Sequence, residues 1–353
     1  MDIEKLVEVR SSKKVVHGGD VWSHDVKIDF SSNVSPLGPS DKAIKAISES
    51  VEKICHYPDI NATSLRAAIS NYIGVKQECI IPGNGSTELI KNFCELFVKG
   101  GNVVIPVPTF AEYEVYSSLY GANLRYVCCE TEKIIGAIDA NTSAVFICNP
   151  NNPTGTIYEE NEILSVVQAA LDVSALVFLD EAYIEFSEER SLCRSALKFE
   201  NLFVLRSLTK FFSLSGLRVG YGVANDALIN YMEKVRIPWN VNTVAQAAGI
   251  ESVKDKQFIK MSKEFIGTER DFLFLELSKF LKVNRTNANF FLIDLEGKIK
   301  APKLKEMLLE KGILIRDCSD FTGLDDNFIR VSIRKRWENV KLIDELKSID
   351  GLK

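Results

Sequence analysis

Ser207-Leu208-Thr209-Lys210-Phe211-Phe212, running on through the turn at Gly216 to Arg218, is the stretch on which the reading of this chain turns. It follows an apolar run, 201–205, that predicts a short buried strand. A lysine set between small hydroxyl residues at a strand end is poorly placed as a solvated surface charge. It is well placed as a nucleophilic amine beside an anion. Ser207, Thr209 and the Arg218 guanidinium can hold a phosphate, and the Lys210 amine can condense with an aldehyde. Taken alone the stretch also fits a lysine that merely lies near hydroxyls, so the rest of the chain has to decide.

The composition bounds the answer. The chain has 353 residues, a formal charge of −5 and 46% apolar content, which is ordinary for a globular protein long enough for two domains. The mild acidity argues against a nucleic-acid binder, and Arg334-Lys335-Arg336 reads as a solvated helix start. No apolar run approaches the roughly 18 residues that would suit a membrane span. Met1-Asp2-Ile3-Glu4-Lys5 is charged and lacks a signal-peptide core. The eight cysteines form no CxxC pair and read as reduced thiols of a cytoplasmic protein. His17, His24 and His56 have no metal-site spacing, so no metal is expected.

Along the chain, strand-like runs at 79–81, 103–106, 124–127, 144–148, 175–179, 202–205 and 219–223 alternate with helical patterns at 87–98, 112–120 and 160–171. This predicts an α/β layer fold with a mostly parallel central sheet. Upstream, helices are expected at 41–54, with Ile44, Ile47, Val51 and Ile54 on one face, and at 63–73. Beyond Pro238 a long helical pattern, 243–281 with breaks near Asp255 and Gly267, leads to strands at 290–295, 313–316 and 328–333 and helices at 304–311 and 337–346. The expected division is a large domain, 38–240, and a smaller α+β domain built from 1–37 and 241–353. Ligands of such sheets bind at the carboxyl ends of the strands, where the polar clusters of this chain fall.

Those clusters carry chemistry of one kind. Asp180 closes an apolar strand and, being buried, needs a partner such as a protonated ring nitrogen; its plain alternative is a helix cap. Tyr183, three residues on, can donate to a phenolate oxygen. Asn152 sits in Asn149-Pro150-Asn151-Asn152-Pro153-Thr154-Gly155, a turn stiffened by two prolines, where its amide can reach a ring oxygen. Phe110 can stack on a planar ring or fill the core. Gly85 and Ser86 precede a helix whose free N–H groups can cradle an anion. Arg316 and Arg330, at the ends of the last two strands, can clamp a carboxylate or phosphate, or make surface salt bridges. His17-Gly18-Gly19 allows close backbone approach to a ligand or forms a plain turn. A cofactor with both a phosphate and an aldehyde on an aromatic ring, pyridoxal 5'-phosphate (PLP), would use most of this set.

The order Asn-Pro-x-Asn-Pro-Thr-Gly (149–155), Asp-Glu-Ala-Tyr (180–183), Ser-Leu-Thr-Lys (207–210) and Gly-Leu-Arg-Val-Gly-Tyr (216–221) resembles the class I/II aminotransferase family of fold-type I PLP enzymes, over nearly the whole chain. The resemblance implies that Lys210 carries the cofactor aldehyde and Asp180 pairs with its pyridine nitrogen. It implies that Asn152 and Tyr183 contact the ring oxygen, and that Phe110 stacks on the ring. Gly85, Ser86, Ser207, Thr209 and Arg218 would hold the cofactor phosphate. Tyr57 would reach the cofactor phosphate of a neighbouring subunit, which implies a homodimer. His17, Gly18, Asn33, Asn152, Arg316 and Arg330 would meet a small phosphorylated amino acid or amine. Within the family, several stretches are more similar to the threonine-phosphate decarboxylases than to the histidinol-phosphate aminotransferases. They are 17–19, 32–38, 108–113, 205–212, 237–242 and 315–324. The resemblance therefore implies decarboxylation of O-phospho-L-threonine ahead of amino transfer from histidinol phosphate. Retention of Lys210, Asp180 and Asn152 together argues against a non-catalytic binding protein on the same scaffold.

Overall fold

The computed structural model describes residues 15–352. The chain opens with strand β1 (Ile28–Asp29) and helices α1 (Asp41–Ser50) and α2 (Thr63–Ile73). Strand β2 (Ile80–Gly83), helix α3 (Ser86–Phe97), strand β3 (Asn102–Val107), helix α4 (Glu112–Leu119) and strand β4 (Asn123–Cys128) follow. Next come α5 (Thr131–Gly136), β5 (Thr142–Cys148), α6 (Glu160–Asp172), β6 (Leu176–Asp180), β7 (Leu202–Ser207), β8 (Gly220–Val223) and α7 (Asp226–Glu233). Strands β2 to β8 form one seven-stranded sheet in the order β2-β8-β7-β6-β5-β3-β4. Only β8 runs against its neighbours, β2 and β7; the pairs from β7 to β4 are parallel.

Period-two alternation explains why this sheet is buried on both faces. Along β6, Val177 and Leu179 join the apolar cluster that holds residues of α2, α6 and α8 (Thr243–Lys254). Phe178, between them, points into the opposite cluster with Leu89, Phe93 and Tyr113. There Phe178 meets Phe93 edge-on at 4.9 Å between ring centres, and stacks on Phe203 at 5.3 Å.

The rest of the chain builds a second apolar cluster. It contains α9 (Lys256–Leu277), β9 (Lys282–Val283), β10 (Phe290–Asp294), α10 (Ala301–Leu309), β11 (Ile313–Leu314), β12 (Arg316–Asp317), β13 (Phe328–Ser332) and α11 (Arg336–Ser348). A four-stranded sheet, β12-β13-β10-β9, is covered by Leu273 and Leu277 of α9, Leu304 of α10 and Leu342 of α11. β1 pairs in parallel with β11, which ties residues 28–29 to this unit. Residues 1–14 of the N-terminal segment expected there lie outside the described residues. Helix α8 shares the apolar cluster of the larger sheet through Ala245, Ala248 and Val253, whereas the expected division after residue 240 falls ahead of it.

Three expectations need correction. Helix α9 passes through Gly267 unbroken; the glycine costs about 1 kcal/mol relative to alanine in isolation, and tertiary packing of a 22-residue helix outweighs it. The run 313–316 is two strands, since β11 pairs with β1 and β12 with β13. Helix α1 ends at Ser50 rather than near Ile54, because the chain tightens into a 3-10 turn over Val51–Cys55; of the stripe, Ile47 packs on the core while Ile44, Val51 and Ile54 are exposed. Residues Ala43 and Ser50 face inward as well. The short elements α5, α7 and β9 offered too few periods to be anticipated.

Phe178→Ala removes a fully buried ring that meets four other aromatic rings. It should lower unfolding stability by about 3–5 kcal/mol, read from denaturant titration of the two proteins.

Candidate active site

The carboxyl ends of β5, β6 and β7 stand side by side, with Cys148 opposite Asp180 and Asp180 opposite Leu205. The loops that leave them carry Asn152, Tyr183 and Lys210. A cavity of about 260 Å³ opens here, lined on one side by Phe110, Asn152, Tyr183, Lys210 and Arg218. Its other walls come from His17, Gly18 and Asn33 of the N-terminal segment and from Arg316 and Arg330 of the small sheet. The structure thus brings ten predicted site residues to one space, from segments more than 300 positions apart in sequence at the extremes.

The remaining candidates flank it. Asp180 is buried, accepting from the Tyr113 hydroxyl at 2.7 Å and from the Ala182 N–H at 2.8 Å. Ser207 and Thr209 are buried with their hydroxyl oxygens 2.7 Å apart. Gly85 begins α3 with φ +75°, a conformation glycine adopts freely. A Cβ there would lie 2.5 Å from the Arg218 guanidinium. Tyr57 does not line the cavity; it is 79% exposed and stacks on Trp239 with ring centres 4.5 Å apart.

Hydrogen bonds fix the cavity walls. Asn33 Nδ2 donates to the Tyr183 hydroxyl at 3.1 Å. Arg330 donates to Asn152 Oδ1 and, at 2.9 Å, to the Ser31 carbonyl. This orientation leaves the Asn152 amide nitrogen as its donor. Arg316 is held by both carboxylate oxygens of Asp320, at 2.7 and 2.9 Å, and by the Val16 carbonyl at 2.6 Å. The Ser35 N–H bonds the Lys210 carbonyl at 3.0 Å, so the N-terminal segment also braces the lysine loop.

Burial reshapes the titration of these groups. Lys210 is brought down to about 8, first by desolvation and then by the positive charges of Arg330 and Arg218. Burial raises Asp180 above the usual carboxylate range, against the lowering effect of its bonds from Tyr113 and Ala182. Burial pushes the Tyr183 phenol up to about 12, which keeps it a hydrogen-bond donor at neutral pH.

Sequence reasoning did not single out four participants. Tyr113 holds Asp180, Asp320 holds Arg316, and Glu112 lies in the cavity wall 2.7 Å from His17 Nε2. The fourth is Arg206, fully buried one residue before Ser207, bonded to Glu185 at 2.7 Å and 3.6 Å from Glu181. The signal for the last was a charged residue inside the apolar run of β7, facing Glu181 at the end of β6.

The model of the family described as aminotransferase class I and II matches residues 25–346. The chain belongs to that family. It is therefore a PLP-dependent enzyme. It is 35% identical to the histidinol-phosphate aminotransferase of Methanothermobacter thermautotrophicus, over 98% of this chain and 94% of that protein. It is 36% identical to a protein of Caldanaerobacter subterraneus subsp. tengcongensis named as a putative threonine-phosphate decarboxylase, over 98% and 96%. The crystal structure of the histidinol-phosphate aminotransferase from Clostridium acetobutylicum superposes with a TM-score of 0.85 at 35% identity, covering 91% of this chain and 98% of that one.

The residues present fit PLP. The cradle at Gly85, which a Cβ would fill, lies against Arg218 and opens α3, so backbone N–H groups and a guanidinium are available to one phosphate. When bound, PLP supplies an electron sink that stabilises negative charge at a substrate Cα. The low value at Lys210 means that its neutral, nucleophilic form is populated near neutral pH. Capture of added PLP by the apoprotein, followed by visible absorbance, should therefore speed up as pH rises through about 8 rather than through the ordinary lysine range. Lys210→Ala should show no such band.

Proposed function

We propose that this enzyme acts on a small phosphorylated amino acid or amine, and that its reaction is decarboxylation of O-phospho-L-threonine to (R)-1-amino-2-propanol phosphate, as in cobalamin biosynthesis. One observation carries the choice. Overall identity is level between the two activities, but the stretches that resemble the decarboxylases supply His17, Asn33, Phe110, Lys210 and Arg316, and these all line the cavity. In this reading Lys210 carries the cofactor aldehyde and Asp180 pairs with the pyridine nitrogen. Asn152 and Tyr183 meet the ring oxygen, and Phe110 stacks on the ring. Gly85, Ser86, Ser207, Thr209 and Arg218 hold the cofactor phosphate. Arg330, Arg316, His17, Gly18 and Asn33 meet the substrate anions. The Cα–carboxylate bond breaks, its electron pair stays with Cα, CO2 leaves, and Lys210 is placed to return a proton to Cα.

A second reading is amino transfer between histidinol phosphate and 2-oxoglutarate. The names of similar proteins support it better than the first, since most of them are histidinol-phosphate aminotransferases. The two reactions differ in which Cα bond stands perpendicular to the ring plane, which the anion-binding side chains set. Product analysis separates them. The PLP-loaded enzyme given O-phospho-L-threonine without a keto acid should release CO2 and 1-amino-2-propanol phosphate. Glutamate formed from histidinol phosphate plus 2-oxoglutarate, with no CO2 in the first assay, would establish the second reading instead. Under either reaction Arg330→Ala should raise KM at least tenfold.

We assign residues 38–240 to a large cofactor-binding unit and 1–37 with 241–353 to a small one. The separate apolar clusters support two units, and α8, beyond residue 240, shares the cluster of the large one. Five cysteines are buried and none is paired among the described residues, which supports the reducing cytoplasm as the compartment. No helix of the described residues is long and apolar enough to cross a membrane.

The enzyme is a homodimer in this reading. The support is the series of exposed apolar side chains Ile44, Val51, Ile54 and Tyr57, with Trp239 stacked on Tyr57. In this reading Tyr57 reaches the second subunit's site. Sedimentation should give twice the chain mass for wild type and the chain mass for Ile54→Asp.

A further inference from the structure

Glu112 is the unexplained member of the cavity wall. It sits in the first turn of α4, where the helix dipole favours negative charge, and it is only 8% exposed. Its Oε1 lies 2.7 Å from His17 Nε2, and the two residues face the same cavity as Lys210 and Arg330. A carboxylate in a space meant for substrate anions is unfavourable unless it acts on a cation there.

His17 itself is held with care. Gly18 presses on the Ser31 carbonyl so closely that an added Cβ would collide with it. The Gly19 N–H donates to Ser31 Oγ at 2.7 Å, and the Val16 carbonyl accepts from Arg316. The backbone before His17 is thus tied to Arg316 of β12 and the backbone after it to Ser31, while its ring is tied to α4 beside the larger sheet. Thr322 repeats this link, donating to Glu114 of α4 at 2.7 Å. With Nε2 engaged by Glu112, Nδ1 is the ring nitrogen left for a ligand.

We infer that Glu112 is a positioning residue that fixes His17 across the cavity and, through it, selects substrates carrying a phosphate. Set between the Glu112 carboxylate and a substrate phosphate, His17 as imidazolium donates to both, Nε2–H to one and Nδ1–H to the other. Without the carboxylate the ring loses both its orientation and its counter-charge. The role rests on the proposed preference for phosphorylated substrates, and holds for decarboxylation and amino transfer alike.

The test is a spectral titration of the PLP-loaded enzyme with matched pairs: O-phospho-L-threonine against L-threonine, and histidinol phosphate against histidinol. In wild type the phosphorylated member of at least one pair should bind at least tenfold tighter. In Glu112→Gln, which keeps shape but removes the charge, that preference should fall about tenfold, with the unphosphorylated member held within twofold. Glu112→Asp should restore part of it, and melting temperatures should show that each variant is folded. Equal weakening of both members would mean a general structural role and would overturn the inference. So would a preference that survives unchanged in Glu112→Gln. A wild type with no preference in either pair would overturn the phosphorylated-substrate reading itself, and this role with it.

Discussion

Charge has to be kept away from water at the carboxyl ends of β6 and β7, and the arrangement of the site follows from that. Asp180 closes one strand and Glu181 follows it; Arg206 and Ser207 close the next, and Lys210 follows. All are buried or nearly so, and an unpaired charge there would cost several kcal/mol. On one face Arg206 is sealed with Glu181 and Glu185, and Ser191 bridges it to Glu181 through a 2.7 Å bond. Burial lifts Glu181 to about 7 even with Arg206 beside it. On the other face Asp180 has two donors of its own and Lys210 has only positive near neighbours besides it. The first group locks the two strand ends together. The second is left with an acid that can hold a cationic ring and an amine that gives up its proton readily.

The cavity exists because two sheets and the N-terminal segment converge on those strand ends. Arg330 is the hinge pin of this convergence. It stands on β13, reaches Asn152 at the end of β5, and bonds the Ser31 carbonyl of the N-terminal segment. Desolvation and neighbouring Arg316 weaken its hold on its proton, while the Tyr183 side chain opposes that. A guanidinium so placed has every reason to attract an incoming anion, since burial strengthens charge interactions that water would screen. Positive charge in the cavity therefore serves the fold through internal acceptors and leaves a place that attracts an anion.

How much of this could be read from the chain depended on whether the signal was local. The alternating strands and helices of the larger sheet were legible because each is an apolar run bounded by turn residues. The loops after β5, β6 and β7 were legible because Asn152, Asp180 and Lys210 interrupt apolar runs with polar groups. What the stripe of α1 would meet was not, because Ile44, Ile47, Val51 and Ile54 share one face and the sequence does not say which surface that face will find. Glu112 and Tyr113 passed unremarked for the opposite reason. Their partners, His17 and Asp180, are 95 and 67 positions away, and nothing local marks a glutamate or a tyrosine as facing them. Arg206 was visible as a charge inside a strand, but its meaning lay in Glu181 on the neighbouring strand.

The same distinction bears on choosing between reactions. Identity summed over the chain counts every position alike, whether it supports the scaffold or lines the cavity. Which bond at Cα breaks depends on the angle at which the side chains lining the cavity hold a substrate, and a rotation about one bond changes the outcome. Those side chains come from the segments at 16–18, 31–33, 110–112 and 316–321, a small share of the chain and far apart in it. Likeness in these segments carries more weight for the chemistry than an equal amount of likeness anywhere else, because only there does a substitution alter the angle rather than the support beneath it.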